Sequence, residues 1–283
     1  MTKRLESPGR SRLFRRVAVG AAAAAIVWAG ACGGTIRSRV RPPSEPGRPY
    51  LQKYAQIGGL AVWIVDGPYV RENLDEEFTN FGQHFAFRFI PPNEFWLDRQ
   101  EVPGEERFFI DHLLIEHRLM AGGMDYNHAL DKGDEAEKEE RNRTAQAREG
   151  EALRAANEGA ALLAKIHKEL LAEFSGEVKV WVVDGELVRD LYYIDFTEGG
   201  HDKVYKFIPA REVWIDDDVS PAERPFILLH ELHERNLMDR GWTYAEAHKD
   251  SSRIEFECRR HPETADARLK AEIEKNRGSL RFP

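Results

Sequence analysis

Cysteine is nearly missing from this chain of 283 residues: only Cys32 and Cys258 occur, and Cys32 lies in a segment laid out like a leader. A mature chain without that leader would keep Cys258 alone, which excludes a disulfide framework. Cys258 closes the helix-like run Arg253 to Cys258 and is expected to be packed rather than reactive. A basic excess is missing too. With 41 Lys and Arg against 49 Asp and Glu, the net charge is -8 and the isoelectric point about 5.8. That argues against a nucleic-acid partner, which calls for a basic stripe. The apolar run Val17 to Ala31 is too short for a comfortable membrane span. The remaining content, 42% hydrophobic, suffices for the core of one large or two small domains.

Residues 1–48 differ from everything after them. Met1 to Arg16 is basic, Val17 to Ala31 is Ala-rich, and Arg37 to Arg48 is rich in Arg and Pro, the layout of a secretory signal. Ala29-Gly30-Ala31-Cys32 is similar to a bacterial lipoprotein cleavage box, which would make Cys32 a membrane anchor. Arg37, Arg39 and Arg41 just beyond the apolar run oppose export, because positive charge resists translocation. An exported or anchored protein and a cytoplasmic one with a spurious front are both expected outcomes.

Self-similarity organises the rest. Shifting the chain by 118 positions superimposes Val62–Ala129 on Val180–Ala247 without a gap, with 27 identities in 68 positions. Trp63, Asp66-Gly67, Arg71, Glu94, Trp96, Asp98, Glu105, His112 and Glu116 match Trp181, Asp184-Gly185, Arg189, Glu212, Trp214, Asp216, Glu223, His230 and Glu234. The chain divides into a leader (1–48), a first repeat (49–131), a charged connector with a helix (132–176), a second repeat (177–262) and a C-terminal helix and tail (263–283).

Each repeat reads as strands followed by helices. Val178–Val183 is rich in β-branched residues, Asp184-Gly185 suggests a turn, Leu187–Phe196 a second strand, Lys203–Ile208 a third and Glu212–Ile215 a fourth. Gly199-Gly200 suggests a hairpin turn. Ser220, Pro221 and Glu223 have the spacing of a capping box opening a helix that Gly241 ends, and Thr243 is placed to cap the next. Leu163, Ile166, Leu170 and Phe174 recur at helical spacing. The expected fold class is α+β, two tandem copies of a small antiparallel sheet, each followed by two helices. Arg71 and Arg189 are expected to pair with Glu94 and Glu212 as rim salt bridges, and Trp181, Trp214 and Trp242 to lie in the core.

The helix from Pro225 to Met238 carries Leu228-Leu229-His230-Glu231-Leu232-His233-Glu234. Four ionisable groups in an apolar helix are costly to desolvate unless paired with each other or with a metal. Residues four apart share a helix face, so His230 and Glu234 present an imidazole and a carboxylate to one point. A structural reading also holds, since Phe226, His230, His233, Glu234 and Leu237 have core-facing spacing, and His233 reads as a neighbour rather than a ligand.

The stretch resembles the His-Glu-x-x-His active-site helix of zincin-type metallopeptidases, with Glu234 at the fifth position instead of histidine. The resemblance implies a helix packed under a small sheet, Zn²⁺ as cofactor, a peptide or protein substrate, and Glu231 as general base. His230 and Glu234 would be two ligands, and the third would be His248 or, alternatively, His201. Tyr244 would stabilise an oxyanion. In the first repeat Leu113, Leu130 and Gln83 stand at the positions of Glu231, His248 and His201. That copy is then a degenerate scaffold, or the His/Glu pair is structural in both and the protein is a non-catalytic duplicated module. Asp216-Asp217-Asp218 is explained by a helix start without invoking Ca²⁺.

Overall fold

The computed structural model describes residues 49–100 and 104–278; the leader with Cys32, the matched Pro103 and residues 279–283 lie outside the described residues. The first repeat contains strands β1 (Tyr50–Ile57) and β2 (Leu60–Val65), helix α1 (Gly67–Asn73), strands β3 (Phe81–Gln83) and β4 (Glu94–Asp98), then helices α2 (Glu106–Ala121) and α3 (Tyr126–Arg141). Helices α4 (Ala145–Ala155) and α5 (Gly159–Ile166) lead into the second repeat. There β5 (His167–Leu170), β6 (Lys179–Val183), α6 (Gly185–Leu191), β7 (Gly199–His201), β8 (Glu212–Asp216), α7 (Arg224–Asp239) and α8 (Tyr244–Arg260) repeat the order, and α9 (Ala265–Gly278) follows. The duplicated α+β architecture is therefore present.

Both sheets are mixed rather than antiparallel. Their orders are β1-β2-β4-β3 and β5-β6-β8-β7, with the central pair parallel and the outer pairs antiparallel. A parallel pair needs a crossover, and a short helix supplies part of it. That is why Leu187–Phe196 is not a strand: Asp184 Oδ1 accepts the Leu187 N–H at 2.9 Å and caps α6, whose Leu187, Val188 and Leu191 turn inward. Asp184-Gly185 is thus a helix start. Its glycine is required, because a Cβ there would lie 2.1 Å from Asp216 Oδ1. The edge strand is Gly199–His201 rather than Lys203–Ile208, which forms turns whose Tyr205 and Phe207 pack on the sheet.

Strand alternation divides the core. Val180, Val182, Val213 and Ile215 face α7 and α9, while Val183 and Trp214 face α5 and α6 on the other side. Burial of each such side chain contributes on the order of 1.5–3 kcal/mol. Trp214 is fully buried and Trp181 partly, but Trp242 is exposed at 45%, contrary to its expected core position. It follows the helix-ending Gly241 (φ +91°), and its N–H satisfies the Leu237 carbonyl from outside the packed face.

The connector is more ordered than its charge suggests. Helix α3 runs through the 131/132 boundary and is the counterpart of α8, while Leu170 and Phe174 lie beyond the end of α5, in and after β5. Thr243 caps α8 in a reciprocal capping box with Glu246. Ser220 forms no such box, because the Glu223 carboxylate turns to Arg259 and Arg71 instead. No helix among the described residues is long and apolar enough to cross a membrane.

Reciprocal ion pairs join the repeats. Arg71 binds Asp98 in its own repeat (2.7 Å) and Glu223 (3.4 Å) and Glu198 (3.1 Å) in the other. Its twin Arg189 binds Asp216 in its own repeat and Glu105 (2.5 Å) in the other. Such mutual exchange is the pattern of an isologous interface. Both arginines are 1% exposed, so the expected rim bridges to Glu94 and Glu212 are replaced by interior ones. Glu94 and Glu212 instead accept the indole N–H groups of Trp96 and Trp214. The three aspartates Asp216 to Asp218 hold Arg189, Lys168 and the Gly185 N–H, so these contacts, rather than the expected helix start, account for them.

Each interface arginine is reached by a chain from a histidine. In the first repeat His112 Nδ1 meets Glu137 (3.0 Å), Glu137 meets Arg141 (2.8 Å), and Arg141 meets Glu105 (2.6 Å). Burial works to lower the His112 pKa, yet hydrogen bonds and charge from Glu116 and Glu137 raise it to about 10. A pKa raised on folding contributes stability that is complete below about 6.5 and is lost as pH rises through the folded value. Denaturant midpoints should therefore fall between pH 7 and pH 10, and His112→Gln should be less stable at pH 7 with a flatter profile. Equal slopes for both proteins would refute that linkage.

Candidate metal centre

Helix α7 positions His230, Glu231 and Glu234, and the chain reversal at Gly241 brings α8 back alongside with His248 one turn inside its start. Four residues apart on α7, His230 and Glu234 share a face, and His248 meets both. His248 Nδ1 is 2.9 Å from Glu234 Oε2 and 3.2 Å from His230 Nε2, and His230 Nε2 is 3.6 Å from Glu234 Oε2. These three atoms form a triangle on which a metal ion fits, since tetrahedral bonds of about 2.0–2.1 Å set ligand atoms about 3.3 Å apart.

An outer hydrogen bond orients the His230 ring. His230 Nδ1–H donates to Glu255 Oε2 at 2.8 Å, so Nε2 faces the triangle. His201 differs. Fully buried on β7, its Nδ1 accepts the Lys203 backbone N–H at 3.2 Å, which places the proton on Nε2. Nε2–H then donates to Glu234 Oε1 at 3.0 Å. His201, Glu231 and Glu234 also cluster, but this tautomer makes His201 a donor that orients Glu234 and leaves His248 as the better third ligand.

Three imidazoles on one carboxylate have a strong electrostatic effect. Burial pushes the Glu234 pKa up, but hydrogen bonds from His201, His230 and His248 hold it well below the usual range. Burial likewise depresses His248, and Glu234 and Glu77 more than reverse that, to about 9. Glu255 is brought to about 2 against its burial by Arg259 and His230. Glu231 goes the other way: desolvation, aided by the Glu234 charge, raises it to about 7 despite the neighbouring histidines.

These groups line a cavity of about 220 Å³ between the repeats. Its wall includes Glu76, Glu77 and Thr79 from the first repeat, and Glu198, Tyr205 and Tyr244 from the second. Glu231 is partly exposed to it, and the Tyr244 ring stacks on His248 with centroids 5.2 Å apart. Burial and the nearby carboxylate charges raise the Tyr244 pKa, so its hydroxyl stays protonated. The site is therefore polar and reachable. His233 lies outside it, bridging Glu272 and Asp250 at 2.9 Å each and fastening α9 and α8 to α7.

The first repeat lacks this arrangement. His112 Nε2 closes on Glu116 at 3.3 Å, Gln83 donates to the same carboxylate at 2.5 Å, and Leu113 and Leu130 stand at the positions of Glu231 and His248. The side chains of His112 and Glu116 are 2% and 4% exposed, a closed pair. Glu255, Arg259 and Glu77 were missed from sequence, although Glu137/Glu255 and Arg141/Arg259 continue the same spacing past Ala129/Ala247. Comparison with known proteins finds no family model that matches the chain, and no curated protein or solved structure similar to it.

Proposed function

We propose that the second repeat is a zinc-dependent hydrolase centre acting on peptide bonds, with His230 Nε2, Glu234 Oε2 and His248 Nδ1 as ligands. The observation that carries this reading is the ligand triangle, with edges of 2.9, 3.2 and 3.6 Å, set beside a partly exposed glutamate in a polar cavity. A zinc ion held by two histidines and a carboxylate supplies a Lewis acid that brings water close to ionisation at neutral pH. The Glu231 carboxylate accepts the proton from the attacking water and returns it to the leaving amine. The Tyr244 hydroxyl, beside His248, donates toward the developing oxyanion. Glu76 and Glu77 on the wall add negative potential that draws a cation in and disfavours anionic substrates.

A second reading makes both His/Glu pairs structural cement in a non-catalytic module. It is favoured by one observation, the closed His112–Glu116 pair, whose outer partners are the side chains of Glu137 and Gln83. Elemental analysis separates the two. Zinc-loaded, dialysed protein should carry about one Zn²⁺ per chain, lost in His248→Ala. Protein that retains no zinc, or retains it without regard to His248, would leave only the structural module.

A further inference from the structure

The geometry points to a metal centre completed by the first repeat, whose Glu77 carboxylate reaches across the interface and positions the His248 imidazole for ligation. This rests on the reading that His230, Glu234 and His248 hold a metal. Histidine ligands ordinarily donate their second N–H to a carboxylate or carbonyl, which fixes the tautomer and ring plane. His230 has that partner in Glu255 at 2.8 Å, within its own repeat. His248 presents Nδ1 to the triangle, and its Nε2 lies 3.8 Å from Glu77 Oε2. The Glu77 side chain is 28% exposed on the cavity wall, and that separation is within ion-pair reach.

The loop carrying Glu77 is held for this task. Asp75 Oδ1 accepts the Glu77 N–H at 3.0 Å, and the next residue, Phe78, is fully buried. The Phe78 carbonyl accepts from Arg71 at 3.1 Å, and Arg71 is clamped to Glu223 and Glu198 of the second repeat. Interface and centre are thus fixed together.

Comparison of the copies separates this contact from general packing. The chain His230–Glu255–Arg259–Glu223–Arg71 has a complete twin in His112–Glu137–Arg141–Glu105–Arg189, so it belongs to the interface whether or not a metal is near. The contact between Glu77 and His248 has no twin. Their counterparts are Asp195 and Leu130, and a leucine needs no carboxylate. Glu77 meets an imidazole only in the copy that has the ligand set. It is a positioning residue.

The test measures zinc affinity of the full chain by competition with a chromophoric chelator, the visible spectrum of the cobalt-substituted protein, and the melting temperature of the metal-free protein. Glu77→Gln should bind zinc roughly 10–100-fold more weakly, shift the cobalt spectrum, and melt near the wild-type temperature without metal. Zinc-binding wild type with an unaltered affinity in Glu77→Gln overturns the role of Glu77 and leaves the metal reading standing. Weaker binding with an unshifted cobalt spectrum and a lowered metal-free melting temperature also overturns it, because the loss then comes from folding. Wild type that binds no zinc overturns both.

Discussion

Glu231→Gln should keep its zinc and lose turnover on a fluorogenic peptide mixture by roughly 10²–10⁴-fold, the usual contribution of a positioned general base. Glutamine preserves the shape of the side chain, and none of the three ligand atoms belongs to this residue. Metal content and melting temperature should therefore stay near wild type while kcat falls. Glu231 is suited to the role because desolvation raises its pKa to about 7, so it can take and return a proton near neutral pH. Its neighbour Glu234 cannot serve, since three imidazoles hold it ionised and occupy its oxygens. Turnover within threefold of wild type, about 0.7 kcal/mol in barrier, would remove Glu231 as base. Loss of zinc in the same variant would instead make it a ligand.

The largest structural effect is expected from Arg189→Met. Arg189 is 1% exposed and answers Glu105, Asp216 and Asp218 together, besides donating to the Phe196 carbonyl at 2.9 Å. Methionine fills much of the volume but leaves several carboxylates facing each other in the interior. Breaking a buried ion pair from one side costs about 3–5 kcal/mol, a large share of the 5–15 kcal/mol that stabilises a typical domain. Even with Arg189 present, burial and the Asp216 charge raise Asp218 to about 9, so the cluster already has more negative charge than it can hold ionised. The melting temperature should fall by on the order of 10 °C, and Arg71→Met should behave similarly because its contacts mirror these. A shift below about 2 °C would show that the interface does not depend on the exchanged pairs.

Several elements were legible in sequence because their causes are local. β6 and β8 follow from β-branched and aromatic alternation, and the start of α8 follows from Thr243 and Glu246. The misreadings share a different cause. Leu187–Phe196 is apolar enough for a strand, and only the parallel pairing of β6 with β8, which demands a crossover, makes its first part helical. Ser220-x-x-Glu223 has the letters of a capping box, but its carboxylate is claimed by arginines at distant positions. The polar stretch after Asp131 looks like a solvated connector, yet Glu137 and Arg141 are buried because the partners they meet come from elsewhere in the chain.

The duplication, strands β6 and β8, the motif helix and the pairing of an imidazole with a carboxylate one turn away were set by residue order alone, since periodicity and the helical repeat act over a few positions. Tertiary structure brought two further histidines to that pair. His201 and His248 both reach Glu234, and they differ in what faces their other nitrogen, the Lys203 backbone N–H for His201 and the Glu77 carboxylate for His248. It also decided that Arg71 and Arg189 exchange partners between the repeats. Proton placement on a buried imidazole and the choice among competing carboxylates depend on groups far apart in the chain, and only packing brings those within reach of one another.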